Sequence, residues 1–453
     1  MTDLTHRIQT LCQALPDLEW ITAPMQLKRL SKDFHWFSPI LKDSLAECLA
    51  DLGVRPRSEA ELLSIVSACA EHGVPVTLRG GGSGNYGQAV PLHGGLVVEL
   101  TALDQVRWVR DGVARAQCGI RLAALEDLLR PQGWELRCMP STYRIATLGG
   151  LFGGGFGGIG SINYGPLAAT GTVLGARVMT LEYPPRIVEL RAPEVMQLNH
   201  VYGTNGIVLE LEIALAPAQH WDEYLLGFDS TEAAFACAEE LATTPSITKR
   251  NVALFEAAVA RYFNALDSVR QPQEAVLICA LAAQAEQPLK QILQRHGGRI
   301  CQYHSAAEVA ASGHTLLEYC WNHTTLHALK HDRSLTYLQT AYAPGQTWAQ
   351  LQRMSQVLEA DEVLTHLEFI RDVQGRSVAV GLPLVRYQGA ERLNQVIALH
   401  RANGVQINDP HVFTLEDGKH GGALDPAILA RKHDYDPAGL LNPGKVRSWS
   451  TAQ

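Results

Sequence analysis

Arg79-Gly80-Gly81-Gly82-Ser83-Gly84-Asn85-Tyr86-Gly87 is the stretch on which the fold and function of this chain turn. Five of its nine residues are glycine, a composition that lowers stability unless the bare backbone is put to use. Without Cβ atoms, successive N–H groups can converge on one anion, and a diphosphate suits such a concave set of donors. Taken alone, the loop reads equally well as a string of tight turns. Its flanks add information. Ser58–His72, SEAELLSIVSACAEH, carries apolar residues at helical spacing, with Ser58 and Glu61 at capping-box positions. Val74–Leu78 is then a short β-like run that feeds directly into the glycines, so the order is helix, strand, glycine loop.

A second glycine field follows at Leu148–Gly160, LGGLFGGGFGGIG, after a Pro140-Ser141-Thr142 turn. Strand candidates at Leu96–Leu100 and Val106–Val109 and a helix at Arg121–Arg130 separate the two clusters. This arrangement suggests two backbone segments closing on one long ligand. A formal G-x-G-x-x-G runs from Gly153 to Gly158 but follows no apolar strand, so no Rossmann site is assigned; no P-loop pattern occurs either. Val173–Leu181 and Val208–Leu215 read as further strands, and Pro217 closes this half. Beyond Gln219 glycine thins and Ala-rich helices alternate with strands, as at Ser230–Thr243, Leu254–Leu266, Ala275–Leu281 and Thr347–Leu358.

The chain of 453 residues is 46% apolar and 19% charged, which fits two or three packed domains. A net charge of −8 with no basic block argues against nucleic acid as a partner. Nine cysteines without C-x-x-C spacing argue against a zinc or iron–sulfur site and suit reduced thiols in a cytoplasm. The first twenty residues lack the pattern of a signal peptide, and no apolar run is long enough to predict a transmembrane helix.

Four ordered segments resemble the FAD-linked oxidases of the vanillyl-alcohol oxidase type, whose cofactor domain is called PCMH-type. VTLRGGGSGNYGQAVP (Val76–Pro91) resembles that family's pyrophosphate loop. PSTYRIATLGGLFGGGFGGIGSINYG (Pro140–Gly165) resembles its second glycine segment, VYGTNGIVLELEIALAP (Val201–Pro217) the segment at the adenine end, and DPAGLLNPGKV (Asp436–Val446) its C-terminal signature. The resemblance implies an α+β fold with a two-part FAD-binding domain over 51–217. A helical lead-in would cover 1–50, an α+β cap 218–430, and a returning tail 431–453. It further implies that backbone groups of Gly80, Gly81, Gly82, Ser83, Gly84 and Asn85 hold the FAD diphosphate, on an FAD-binding loop that begins at Arg79. Gly149, Gly150 and Gly154 would line the flavin and ribityl chain, Gly206 and Ile207 would contact the adenine side by backbone, and Asn442 would return near the pyrimidine end. Some relatives attach FAD through a histidine of this loop. The matching residue here is Ser83, and Cys138 lies too far from Gly149 for a cysteine link, so non-covalent FAD is expected.

A flavin oxidoreductase needs a base for the hydroxyl proton and often a cation for a carboxylate. His411, in Asn408-Asp409-Pro410-His411, is the first candidate base. Hydroxy-acid dehydrogenases of the family carry Glu-His-Gly in a similar place; here Pro410 replaces the glutamate and the spacing from Gly404 is one residue longer. The alternative is a structural turn histidine. The family's metal motif containing Gly-Asp-Gly-Asn is missing, and no metal is expected. His323, His327 and His331 recur every four residues after Trp321-Asn322. They suit an exposed polar face, a metal site, or a substrate pocket in which His323 is the second catalytic candidate. Glu416, His420, Arg371, Arg376 and Arg386 read as turn or surface residues with weaker claims. The expected activity is oxidation of a small hydroxy acid, D-lactate or glycolate, by hydride transfer to flavin. Alcohol, sugar or aldonolactone oxidation, a flavin subunit of a larger complex, and a binding protein without chemistry are the alternatives. The electron acceptor is left open among oxygen, a quinone and a protein.

Overall fold

The computed structural model describes residues 2–418 and 421–450, so His420 lies outside the described residues. Helix Glu59–His72 begins where Ser58 accepts a hydrogen bond from Glu61 N (3.1 Å) and ends on Gly73 at φ 64°. Glu61 reaches back to Arg57 N (2.7 Å), one residue earlier than a capping box requires. The helix buries Leu62, Ile65, Val66 and Cys69 against Val76, Leu96 and Val98. Each fully buried aliphatic side chain contributes about 1.5–3 kcal/mol. The strands beneath form a parallel sheet, Leu52–Val54, Leu96–Glu99, Val76–Arg79, with Leu96–Glu99 central. Leu11 of helix Thr2–Ala14 joins the same core, so the N-terminal lead-in is part of this layer.

The second layer of this half is an antiparallel sheet ordered Val106–Arg110, Val113–Gln117, Ile207–Pro217, Val173–Met179, Ile187–Arg191, with Trp134–Leu136 also pairing Ile207–Pro217. Helices Leu122–Leu129 and Leu148–Gly154 pack on it. The second glycine field therefore opens as a helix, capped by Thr147 Oγ1, which accepts from Gly150 N (3.1 Å). Glycine weakens a helix interior by about 1 kcal/mol per residue. Here the helix rests on its neighbours: a Cβ on Gly149 would stand 2.7 Å from Cys118 Cβ.

The cap is an eight-stranded antiparallel sheet. Its order is Arg299–His304, Trp221–Phe228, Ala275–Ala282, Lys249–Phe255, His366–Arg371, Ser377–Gly381, Gln339–Ala341, Gln406–Asn408. Helices Thr231–Thr243, Glu286–His296, Thr347–Val357 and Ala390–Ala402 cover one face. Phe37, Phe263, Trp321 and Ala328 cover the other. Coverage of both faces explains why Ala275–Ala282 is an unbroken apolar run rather than an alternating one. The tail returns earlier than 430, since Leu415 and Leu424 already pack with Val201 and Val446. It then pairs Leu441 with Val76 in a parallel bridge.

A buried ion cluster joins the two halves. Arg250, from a cap strand, donates to Glu126 Oε1 (2.8 Å) and lies beside Glu135 (3.9 Å). Arg130 bonds both carboxylates (3.2 and 2.9 Å), and Trp221 Nε1 donates to Glu135 (3.0 Å). Removing one partner from a buried pair strands the other charge. Arg250→Ala is expected to lower unfolding free energy by about 3–5 kcal/mol in urea titrations. Arg130→Ala, at a residue 33% exposed, is expected to cost clearly less.

Candidate active site

A cavity of about 820 Å³ lies between the two halves. Its first wall is the glycine loop, which sits directly on Ile145–Thr147. A Cβ on Gly81 would stand 1.9 Å from the Ile145 carbonyl oxygen, and one on Gly80 2.1 Å from Thr147 Oγ1. No side chain fits there, so only backbone can follow this path. Among the described residues, no backbone N–H from Gly80 to Asn85 donates to a protein acceptor, whereas the next, Tyr86 N, donates to Gln88 Oε1 (2.9 Å). Gly80, Gly81, Gly82, Ser83, Gly84 and Asn85 all line the cavity. The row of unpaired donors is what an anion nest requires.

The loop is braced from behind. Arg79 lines the cavity, but its guanidinium donates to the carbonyls of Leu30 (3.0 Å) and Lys32 (2.7 Å). Lys445 Nζ, fully buried, donates to the Gly87 carbonyl (2.7 Å), and burial pushes this lysine down to about 7. Asn442, at φ 43°, donates through Nδ2 to the carbonyls of Gln88 (2.8 Å) and Tyr202 (2.7 Å). Asn442 is not among the residues that line the cavity, and its two bonds tie the tail to Gln88 after the glycine loop and to Tyr202. Ile207, expected to contact the ligand by its backbone, packs its side chain in the core with Leu209 and Met179, while Gly206 and Val208 on either side line the cavity. Gly149, Gly150 and Gly154 line the opposite side, near Ile145 and Phe156, which leave 42% and 46% of their surface open.

The third wall belongs to the cap. Helix Asn322–His331 starts at Trp321, whose backbone is held at φ 55°. Such a conformation costs a bulky residue about 1–3 kcal/mol. Trp321 N donates to Glu368 Oε1 (2.6 Å) and Trp321 Nε1 to Asn251 Oδ1 (3.2 Å). Glu368 also meets His366 Nε2 (3.0 Å), so a buried carboxylate pins the strained turn. Asn322, His323 and His327 then face the cavity. His323 Nδ1 lies 2.9 Å from Glu318 Oε2, and Glu318 Oε1 lies 3.2 Å from Arg144 Nη2. The bond to His323 holds the Glu318 carboxyl below its usual range. Burial pushes His327 down to about 4, beside the Tyr319 ring (4.7 Å). His331 is exposed and absent from the wall. Among the described residues no group of three or more His, Cys, Asp or Glu side chains is arranged to hold a metal.

His411 is a correction. It is 4% exposed, with Nδ1 2.8 Å from Ser38 Oγ and Nε2 2.9 Å from the Tyr337 carbonyl, and it does not line the cavity. Both ring nitrogens are engaged, leaving none to accept a substrate proton. The structural-turn alternative describes it: Asp409 Oδ1 accepts from His411 N (2.9 Å). Glu416 anchors the tail through Arg447 N and Ser448 N. Arg371, Arg376 and Arg386 lie off the wall, Arg376 paired with Asp372 and Arg386 with Asp332. Glu318, Arg144 and Glu368 escaped the sequence reading, because nothing local distinguishes them from surface or strand residues.

Residues 50–182 match the model of an FAD-binding domain. Over 127 residues the chain is 32% identical to an uncharacterised FAD-linked oxidoreductase of Mycobacterium tuberculosis, covering 28% of this chain and 27% of the relative. It is 30% identical over 115 residues to a D-lactate dehydrogenase of Archaeoglobus fulgidus, covering 25% and 26%. The matched stretch thus spans about a quarter of the length of these curated relatives. Among solved structures, an alkyldihydroxyacetonephosphate synthase superposes with a TM-score of 0.72 at 16% identity, over 97% of this chain and 86% of that one, a likeness of fold.

Two glycines separate folding from cofactor binding. Gly81→Ala drives a Cβ into a carbonyl and is expected to cost about 1–3 kcal/mol of apoprotein stability and to weaken FAD binding. On the helical Gly153 a Cβ would meet nothing closer than 4.0 Å. Gly153→Ala is therefore expected to leave apoprotein stability equal or higher while still weakening FAD, as read by thermal unfolding and flavin titration. For Lys445, the folded value near 7 lies below the ordinary one of about 10.4. Between these values the unfolded chain holds a proton that the folded chain has released, so stability gains with rising pH across the window. Lys445→Met is expected to flatten that gain, measured as the difference between urea midpoints at pH 7 and pH 9.

Proposed function

We propose that this chain, whose residues 50–182 are an FAD-binding domain, is an FAD-dependent oxidoreductase that oxidises a CH–OH group in the cavity between its halves. The observation that carries this reading is the cavity itself, which runs from the unpaired N–H row of Gly80–Asn85 to the wall bearing His323. The residues present fit the cofactor: the donor row suits a diphosphate, the glycines leave room for a long ligand, and Ile145 and Phe156 offer open apolar surface. Attachment is non-covalent. Ser83 stands where a histidine link would, and Cys138 is buried against Ser161 Oγ (3.4 Å), off the cavity wall. FAD bound here supplies the hydride acceptor.

His323 is the base. Its Nδ1–H donates to Glu318, which leaves the Nε2 lone pair for the substrate hydroxyl proton. His327, kept neutral above about pH 4, adds no positive charge that would oppose protonation of its neighbour. Trp321, Tyr319 and Leu326 make this end apolar and limit water around the reacting carbon.

For the substrate, a small hydroxy acid such as D-lactate is supported by the D-lactate dehydrogenase relative. A second reading, a neutral alcohol or sugar, is favoured by the charges on the wall. Arg79 is engaged by carbonyls and Arg144 by Glu318, so neither is left for a carboxylate, while Gln302, Gln339, Asn322 and Asn408 offer neutral amides. Oxygen, a quinone or a carrier protein takes the electrons, the last if the chain is a flavin subunit of a larger assembly. No described helix is long and apolar enough to cross a membrane, and nine free thiols favour a cytoplasmic setting.

The visible spectrum of the purified protein, repeated without oxygen in the presence of hydroxy acids, alcohols and sugars, tests both levels. Flavin bands that bleach with D-lactate or glycolate support the first substrate class, and bleaching only by neutral polyols supports the second. A protein that shows no flavin after incubation with FAD removes the proposal. His323→Gln is expected to retain flavin and lose about 10²–10⁴-fold in the rate of bleaching, the usual contribution of a general base.

A further inference from the structure

We infer that Glu318 and Arg144 are positioning residues that orient His323 as the proton acceptor, and that this chain of contacts is completed only where the cap meets the cofactor half. The inference rests on the oxidoreductase reading above and goes beyond it by assigning roles to two residues outside the cofactor motifs.

The Glu318 side is built into the cap. Glu318 lies in the turn Leu316–Tyr319, and that turn is held at both ends. The buried Glu223 accepts from Thr315 Oγ1 (2.5 Å) and Leu316 N (2.6 Å) at its start. Thr324 Oγ1, one residue after His323, donates to the Tyr319 carbonyl (2.6 Å) at its end. The carboxylate and the imidazole are thus carried by two short elements stitched together, which fixes the 2.9 Å contact between them. A carboxylate on Nδ1 selects the tautomer with its lone pair on Nε2 and stabilises the imidazolium that forms when the hydroxyl proton arrives.

Arg144 comes from the other half. Its Nη2 reaches Glu318 Oε1 (3.2 Å) and the Gly313 carbonyl (3.3 Å). The adjacent residue, Ile145, is the one whose carbonyl supports Gly81 in the glycine loop. The segment that shapes the cofactor loop therefore also holds the partner of the base. Glu318 is 33% and Arg144 53% exposed, so their pairing contributes little stability and its effect is one of placement. In the reaction the hydroxyl proton goes to His323 Nε2, the C–H electron pair leaves as hydride to FAD, and Glu318 stays ionised opposite the imidazolium. The titratable or charged groups facing His323 are Glu318, Arg144 and His327, with His304 and His314 further along the wall.

The test uses the flavin-loaded full chain and two readouts. NMR follows the His323 ring 15N resonances, identified by their loss in His323→Gln, which report which ring nitrogen carries the proton. Glu318→Gln is expected to shift the His323 ring from the tautomer protonated on Nδ1 toward a mixture of the two, read from the ring 15N shifts. The same variant is expected to lower kcat by about 10–100-fold at nearly constant KM. Arg144→Leu is expected to lower kcat several-fold without displacing flavin. Unchanged His323 ring 15N shifts in Glu318→Gln would overturn the pairing, and an altered tautomer with unchanged kcat would overturn its use in turnover. Should Glu318→Gln not fold, Glu318→Asp, which keeps the charge and withdraws it by one methylene, is expected to lose turnover while retaining flavin; wild-type turnover there sinks the inference. Because the NMR readout needs no substrate, failure to find flavin reduction tells against the oxidoreductase reading separately.

Discussion

The contact of Gly80 and Gly81 with the Ile145–Thr147 backbone is the constraint on which the rest of this structure depends. A side chain at either glycine would occupy the same space as a carbonyl or hydroxyl oxygen. The loop can therefore follow its path only as bare backbone, and its N–H groups are left facing the cavity with no partner in the protein. Gly80–Gly84 are half-buried and open toward the cavity, so these donors are accessible to a ligand. A row of them has a physical rationale as the receptor for an anion. The surroundings hold this arrangement by carbonyl contacts: Arg79 on Leu30 and Lys32, Lys445 on Gly87, Asn442 on Gln88 and Tyr202. Distant segments of the chain thus converge on one loop, and the returning tail is a structural part of the cofactor half.

The cap answers a different requirement. Its sheet is covered on both faces, so polar groups that reach its interior must find partners there. Glu368 does so by accepting the N–H of Trp321 and meeting His366, which holds Trp321 in a backbone conformation that a tryptophan rarely adopts. From that turn the helix carries Asn322, His323 and His327 onto the cavity wall. Strain at the entrance of a helix that supplies a cavity wall follows the general pattern in which strained backbone clusters at functional sites.

Much of the cofactor half was legible in the sequence because its signals are local. Ser58 before a helical pattern, a short strand ending at Arg79, and glycines at fixed offsets each act within a few residues. The two histidine expectations show where local signals end. His411 had a polar setting and a spacing near that of a catalytic histidine, yet Ser38 and Tyr337, remote in sequence, engage both its nitrogens. The fourfold repeat of His323, His327 and His331 suggested one common face. Four residues overshoot one helical turn by about 40°, so the third histidine is rotated by about 80° from the first. His331, the last residue of the helix, is accordingly exposed.

By itself the sequence determined the nature of the cofactor half. A nest for a diphosphate needs little beyond glycine at consecutive positions between a strand and a turn, and such patterns survive without knowledge of the fold. Only the tertiary structure decided the reacting wall. The proposed base depends on Glu318 in one element, His323 in the next, and Arg144 from the opposite half, and their alignment is a matter of 2.9 and 3.2 Å contacts. No residue type, spacing or periodicity encodes such a meeting, because it results from how two separately formed cores are docked on one another.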